Sequence, residues 1–340
     1  MPASIDPESA NQIDLNGKVI LITGGTGSFG RAFVGRLLAA YDPRKVIVFS
    51  RDEQKHFAMQ SEVVDPRLRF FVGDVRDRNR LMRAMDGVDV VVHAAAMKHV
   101  PIAEYNPIEA VQTNIDGAAN LIDAALERKV GRVVALSTDK AVSPVNLYGA
   151  TKLCMEKLLV AANSYAGAKK TRFDLVRYGN VVGSKGSVVP VFLRQAGEGR
   201  LTVTDPAMTR FWITMDQAMD LVVSALRFGS GGQVFVPKIP ACSLATLAEA
   251  IAPGVPVEVT GIRPGEKVHE TLITVDEARH VVEFKDCYVI NPSFPWWGEA
   301  PGRKGDPVPP DFSYSSNKAQ QLAVGQVRDL LIRAGFLPAK

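Results

Sequence analysis

Lys18-Val19-Ile20-Leu21-Ile22-Thr23-Gly24-Gly25-Thr26-Gly27-Ser28-Phe29-Gly30 decides the fold. An apolar, β-branched run of this kind reads as a strand buried on both faces, and the glycine turn behind it opens a helix. Glycines at 24, 27 and 30 permit a tight turn, a close approach of backbone to a pyrophosphate, and close packing of helix on strand. The free N–H groups and positive dipole of the helix start then suit an anion. A glycine trio alone is a weak signal; strand, turn and helix in this order predict a dinucleotide cradle. Its contacts are assigned to Gly24, Thr26, Gly27, Ser28, Phe29 and Gly30.

Outward from the cradle, the pattern predicts strands at residues 18–23, 45–50, 68–73, 88–94, 132–137 and 173–178, and helices at 29–41, 53–64, 79–85, 114–128 and 148–166. This alternation is an α/β signature, predicting a doubly wound parallel sheet with right-handed crossovers and a ligand beyond the carboxyl ends of the strands. After Tyr178 the pattern loosens, with strands expected at 201–204 and 233–236 and helices at 215–227 and 244–252. The expected organisation is a polar tail (1–16), a nucleotide-binding domain (17–178), a smaller mixed C-terminal substrate lobe (179–290), and a Pro-rich arm with a C-terminal helix (291–340). Segments at roughly 205–240 are expected to pack back on the first domain. The arm carries Trp296-Trp297 and reads as an extended surface segment, with an oligomer contact as the alternative.

The 340 residues carry a net charge of +4, 46% hydrophobic and 22% charged residues, the balance of a globular enzyme. Basic residues are dispersed among acidic ones, which predicts a solvated surface and no nucleic-acid partner. The apolar run at 88–96, broken by Asp89 and His93, is too short to span a bilayer, and the N-terminus lacks the order of a signal peptide. A cytoplasmic protein with no membrane partner is the expectation. Cys154, Cys242 and Cys287 show no redox or metal spacing, and Cys154 reads as a buried free thiol on an apolar helix face. His99 has no partner at ligand spacing, so no metal is expected.

Chemistry concentrates in Leu136-Ser137-Thr138-Asp139-Lys140 and Tyr148-Gly149-Ala150-Thr151-Lys152. The first ends a strand; the second opens a helix with Tyr148 and Lys152 on one face. Such a pair is elsewhere an ordinary surface pair. Behind a dinucleotide cradle it reads as catalytic, the ammonium favouring a phenolate that takes a proton from a substrate hydroxyl. Thr138, Tyr148 and Lys152 suffice for alcohol oxidation, so Asp139 and Lys140 imply further chemistry. Ser50 and Arg51 end the second strand and favour NADP, while Asp52 suits a helix cap. Asp74 and Val75 fall where adenine is met, and Ala94, Ala95 and Ala96 let a flat cofactor lie against backbone.

The segments TGGTGSFG, STDK and YGATK together resemble the extended short-chain dehydrogenase/reductase family. The likeness sharpens in SRDE, GDVRD, HAAAMKHVPIAEYNP, TNIDGA, RYGNVVGSKGSVVP, MTRFWIT and GIRPGEKVHE, runs from Gly17 to Ile290, and returns from Pro310 to Ser316. These segments look like the inverting UDP-N-acetylglucosamine 4,6-dehydratases of bacterial pseudaminic acid synthesis. The resemblance implies a Rossmann-like domain with a nucleotide-sugar lobe, a tightly bound NADP regenerated at each turnover, and a homo-oligomer. It implies that Thr138 meets the sugar near C4, Asp139 is the acid and Lys140 the base, where retaining dehydratases carry Asp-Glu. Lys140 is expected to need a lowered pKa, and Asp139 to be protonated by burial. Lys98, Asn180, Lys185, Arg210, Arg263, Glu266 and Lys267 are the implied contacts to UDP-N-acetylglucosamine. Flagellin and capsule glycosylation are both open as destinations of the product. The rivals are a retaining dehydratase or a C4 epimerase of the same fold, and more remotely a non-catalytic NADP-binding regulator. An epimerase needs neither a C5 base nor a C6 acid, and a regulator has no use for an intact Tyr-x-x-x-Lys.

Overall fold

The glycine turn sits where strand β1 (Val19–Thr23) hands over to helix α1 (Ser28–Ala40) in a computed structural model that describes residues 14–167, 171–184, 186–293 and 305–338. Lys185, Trp296-Trp297 and most of the N-terminal tail lie outside the described residues. The chain continues through β2 (Lys45–Ser50), α2 (Glu53–Glu62), β3 (Leu68–Val72), α3 (Arg78–Ala84) and β4 (Val90–His93). Two short helices follow, α4 (Val100–Tyr105) and α5 (Pro107–Val111), then α6 (Gly117–Glu127), β5 (Arg132–Thr138), α7 (Leu147–Tyr165) and β6 (Arg172–Tyr178).

These six strands are parallel and ordered β6-β5-β4-β1-β2-β3. The order reverses at β1, which pairs with β2 on one side and β4 on the other, leaving a crevice at their carboxyl ends. Beyond β6 the sheet takes on Val234–Pro237 in parallel, then Cys287–Ile290, Val281–Glu283 and Asp306–Pro307 antiparallel, ten strands in all among the described residues. Every residue of β1 and β5 is buried, as expected of strands covered on both faces. Phe33, Phe49, Phe173 and Phe235 are fully buried around them. Each such side chain contributes about 1.5–3 kcal/mol by leaving water, so the sheet is the main source of stability.

A second core gathers Val189, Phe192, Leu201, Trp212, Leu247 and Leu331. Helices Val188–Gly197, Leu244–Ile251 and Val324–Arg333 enclose it, and strand Thr209–Ile213 pairs with Asn180–Val181 and Ala241–Ser243. Helix Met215–Phe228 belongs to the first core and packs against β5, β6 and α1.

Two expectations are corrected. The helix expected at 114–128 is preceded by α4 and α5 and entered through a single π-turn, Gln112–Asp116. Pro101 and Pro107 occupy first-turn positions, where a missing N–H costs nothing, so they begin helices. The π-turn aims Asn114 inward: its side chain bonds the Met97 N–H (2.8 Å), the Met97 carbonyl (2.9 Å) and the Thr151 hydroxyl (2.9 Å). That ties the stretch after β4 to α7. Cys154 is exposed, because α7 buries the face carrying Thr151, Lys152, Met155, Glu156 and Leu159.

Candidate active site

At the carboxyl ends of β1, β2, β4 and β5 opens a cleft of about 1410 Å³. Gly24, Thr26, Gly27, Ser28, Phe29 and Gly30 line one end, with Ser50, Arg51, Asp74, Val75 and Ala94–Ala96 beside them. Only glycine fits the crossing. A Cβ on Gly30 would stand 2.5 Å from Gly25 Cα and 2.6 Å from Gly24 O, and one on Gly24, at φ +66°, would stand 2.8 Å from Ala95 N. Gly27 caps α1 without a side-chain hydrogen bond, leaving the first N–H groups of the helix for an anion. This end of the cleft therefore fits a dinucleotide. The Ser50 hydroxyl lies 2.8 Å from Thr26 Oγ1 and 3.0 Å from His56 Nε2. Arg51 is exposed at the rim, 4.0 Å from Asp74, while Asp52 caps α2 by accepting from the Lys55 N–H.

The other end of the same cleft is lined by Lys98, Thr138, Lys140, Tyr148, Lys152, Asn180, Arg210, Arg263 and Glu266. Thr138 ends β5, and Asp139 and Lys140 form the single 3-10 turn that follows. The Thr138 hydroxyl donates to Asp139 Oδ1 (2.9 Å) and accepts from the Lys140 N–H (3.3 Å). Asn146 starts α7 by accepting from the Gly149 N–H (2.8 Å). A Cβ on Gly149 would collide with Lys140 O, so the glycine after Tyr148 lets α7 press against the 139–141 turn.

The electrostatics correct two expectations. Burial pushes the Tyr148 phenol up to about 12, outweighing the Lys140 charge and the Thr138 hydrogen bond that favour ionisation. Lys152, depressed to about 8 by burial against the pull of Glu156, turns its Nζ to Met155 Sδ (3.0 Å). The ammonium acting on Tyr148 is thus Lys140. Lys140 Nζ lies 3.1 Å from Asp139 Oδ1, 3.4 Å from Asn180 Oδ1 and 3.4 Å from Glu270 Oε1. Burial presses its pKa down, but the two carboxylates outweigh burial and hold it above the usual lysine value. Lys140 is therefore an ammonium, not the partly neutral amine expected. Asp139 is fully buried and pushed up, first by burial and then by Glu270. Its Oδ2 has no hydrogen-bond partner among the described residues.

Two of the assigned residues that are described, Asp139 and Lys267, sit apart from the cleft wall. Asp139 lies beneath it, and Lys185 is outside the described residues. Lys267 turns its Nζ to Val142 O (2.5 Å). Arg210 reaches the cleft, but its guanidinium is bound to the carbonyls of Thr209 (2.8 Å), Lys267 (2.9 Å) and Val268 (3.1 Å). Sequence reasoning missed Glu270, which reads as the end of a polar loop. It also missed a buried ionic network in which Arg177 bridges Glu156 and Glu277, with Ser137 donating to Glu156 Oε1 at 2.5 Å. The network anchors α7, which carries Tyr148 and Lys152, to β5 and β6. Among the described residues no cluster of His, Cys, Asp and Glu could hold a metal, and no helix is long and apolar enough to cross a membrane.

A family model described as polysaccharide biosynthesis protein matches residues 20–292. An inverting UDP-N-acetylglucosamine 4,6-dehydratase of Campylobacter jejuni is 52% identical over 311 residues, 89% of this chain and 93% of the relative. Pen from Bacillus thuringiensis superposes with a TM-score of 0.87 at 38% identity, covering 96% of this chain and 100% of Pen. The dTDP-glucose 4,6-dehydratase DesIV of Streptomyces venezuelae, solved with NAD and TYD bound, gives a TM-score of 0.65 at 27% identity over 74% of this chain and 86% of DesIV.

Proposed function

This chain belongs to the polysaccharide biosynthesis protein family, on the extended short-chain dehydrogenase/reductase fold, and from that premise we propose that it is a UDP-N-acetylglucosamine 4,6-dehydratase that inverts C5. The observation that carries the reading is the Asp139–Lys140 pair, 3.1 Å apart, at the strand end that also presents Thr138 and, from α7, Tyr148. An oxidation at C4 needs only Thr138, Tyr148 and Lys152. An acid beside a base adds the means for an elimination across C5–C6.

Thr138 and Tyr148 engage the C4 hydroxyl, and Tyr148, having released its own proton to solvent in the cleft, takes the hydroxyl proton as a phenolate. A nicotinamide held beside Tyr148 and Lys152 would supply the hydride acceptor for C4 and the hydride donor for C6. The C4 ketone acidifies the C5 proton, which Lys140 removes after releasing its own proton to solvent in the cleft it lines. Asp139 gives its proton to the departing C6 oxygen, releasing water. Lys140 is then an ammonium again, and Asp139, one proton short, regains it across the 3.1 Å contact, Lys140 recovering its own from solvent in the cleft. Protonation of C5 from the opposite face, by a proton drawn from solvent, inverts that centre and gives a UDP-2-acetamido-2,6-dideoxy-L-arabino-hex-4-ulose.

Gly24, Thr26, Gly27, Ser28, Phe29, Gly30, Asp74, Val75 and Ala94–Ala96 would hold the dinucleotide, with Lys152 and Tyr148 at its nicotinamide end. Ser50 and Arg51 at the rim support NADP, although DesIV was solved with NAD. Lys98, Asn180, Lys185, Arg210, Arg263, Glu266 and Lys267 are assigned to the nucleotide-sugar, and the second core to the lobe that receives it. The resemblance alone supports a cytoplasmic homo-oligomer whose product enters pseudaminic acid synthesis. Incubation with UDP-N-acetylglucosamine in D₂O, followed by NMR, tests the reading: a 6-deoxy-4-keto sugar with deuterium at C5 and inverted configuration is expected. Absence of that ketone sinks the dehydratase, and an unchanged C5 sinks the inversion.

A further inference from the structure

Lys140 faces more buried charge than its own turn supplies. Glu270 lies just ahead of strand Thr271–Ile273, far along the chain from β5, with its side chain only 4% exposed. It does not line the cleft. Glu270 Oε1 stands 3.4 Å from Lys140 Nζ on the side away from solvent, and Oε2 stands 3.7 Å from Lys267 Nζ with no hydrogen-bond donor among the described residues. One distant segment clamps its backbone, and a second braces that clamp. Ser316 accepts from the Glu270 N–H (2.9 Å), donates its own N–H to the Glu270 carbonyl (2.8 Å), and its hydroxyl lies 2.6 Å from Thr209 Oγ1. The fold therefore invests contacts from three parts of the chain in delivering one buried carboxylate to the back of Lys140.

Resting on the dehydratase reading, we propose that Glu270 is a positioning residue that acts through Lys140, holding its amine toward the cleft and keeping a fixed negative charge beside the Asp139–Lys140 pair. The argument is one of counting buried charge. Both carboxylates lean on the Lys140 ammonium, and a fully buried carboxylate with fewer cations around it is the one that takes a proton. Glu270 has Lys140, Lys267 and Arg210 around it, whereas Asp139 has only Lys140. Glu270 keeps the charge and Asp139 keeps the proton that an acid must carry. The other groups facing Lys140 are Arg210 from strand Thr209–Ile213, Tyr148 from α7 and the neutral Asn180 amide. None of these replaces a buried anion.

The test is the pH dependence of kcat/KM for Glu270→Gln, which keeps the shape and removes the charge. In the wild type, the acid limb reports the first proton lost from the Asp139–Lys140 pair and the alkaline limb the second, both properties of the pair. Removing a neighbouring anion makes both protons easier to lose, so both limbs move to lower pH, by about one pH unit or more. Glu270→Asp withdraws the carboxylate by one methylene and moves both limbs the same way by less. Limbs that stay in place while the rate falls overturn the proposal, since a merely structural carboxylate gives that result. If Glu270→Gln fails to fold, the Glu270→Asp profile decides alone. A second readout needs no turnover: competitive acetylation of Lys140 by acetic anhydride, followed by peptide mass spectrometry, gives the pH at which its amine becomes reactive. That midpoint falls in Glu270→Gln if the proposal holds and stays put if it does not, whether or not UDP-N-acetylglucosamine is the substrate.

Discussion

Replacing Arg177 by Met gives the sharpest test of how this site is held together. The guanidinium is 4% exposed and donates to Glu156 through Nε (3.0 Å) and Nη2 (2.7 Å), to Glu277 through Nη1 and Nη2 (both 3.0 Å), and to the Leu272 carbonyl (2.9 Å). Methionine fills much of the volume and supplies none of these donors. It leaves Glu156, as buried as Arg177, and Glu277, 27% exposed, facing each other without a cation. Removing one member of a buried ionic cluster costs about 3–5 kcal/mol, because the remaining charge is stranded. For a chain of this size that is a fall in melting temperature of roughly 4–7 °C.

The sign of the pH dependence is fixed by the same contacts. Against the upward push of burial, Arg177 holds Glu277 below the usual glutamate value, so in the wild type this pairing stabilises fully above that usual value and is lost only as pH falls through the lowered one. In the variant, buried carboxylates without a cation bind protons more readily, so the penalty is greatest at neutral pH and shrinks as they protonate. The stability gap, measured by urea unfolding, is therefore widest near pH 7.5 and narrows toward about pH 5, where the wild-type pairing is still intact. A gap below about 1 kcal/mol at neutral pH, or one that does not change over that range, refutes the assignment of this network as charged. Arg177→Lys retains charge but loses the bidentate fork, and should fall between the two.

Lys140→Ala is expected to abolish formation of the 4-keto-6-deoxy product while retaining NADP, measured by fluorescence of the bound reduced cofactor; loss of cofactor would recast Lys140 as structural. Gly30→Ala places a Cβ 2.5 Å from Gly25 Cα, backbone that cannot swing aside, and should weaken dinucleotide binding at least tenfold by calorimetry; unchanged affinity would show that the cradle lies elsewhere. Arg51→Glu removes the rim cation beside Asp74 and is expected to raise the dissociation constant for NADP while leaving that for NAD near its starting value. An equal change for both cofactors would count against the NADP assignment.

How far the sequence could be read follows from where each signal lives. Strands β1 and β5 are buried on both faces, so they appear as unbroken apolar runs, and Thr138, Asp139 and Lys140 follow the end of β5 as local sequence. Tyr148 and Lys152 share a helix whose period is visible. Glu270 and Arg177 are different: each is a charged residue that looks solvated until the fold buries it against partners from another element. Pro101 and Pro107 read as helix breakers, yet both sit in first turns, a position that only the neighbouring geometry reveals. Cys154 was assigned to the wrong face because the apolar stripe of α7 also carries Lys152 and Glu156, polar residues that a pattern places outside.

The charge on Lys140 also depends on distant residues, and it bears on the order of the proposed reaction. The C4 step needs Tyr148 to lose a proton, and burial opposes that by pushing the phenol up to about 12. The Lys140 ammonium is the charge that works in its favour. The C5 step needs the opposite state, a neutral Lys140 amine. These demands are compatible because Coulomb coupling is mutual. While Tyr148 is a phenolate it stabilises the ammonium; once it has taken the C4 proton, that stabilisation is gone. Lys140 then gives up its proton more easily, at the stage when the C4 ketone has made C5–H acidic. A base held charged by Glu270 until the first oxidation is complete is protected from acting early, which an amine already neutral in the resting enzyme would not be.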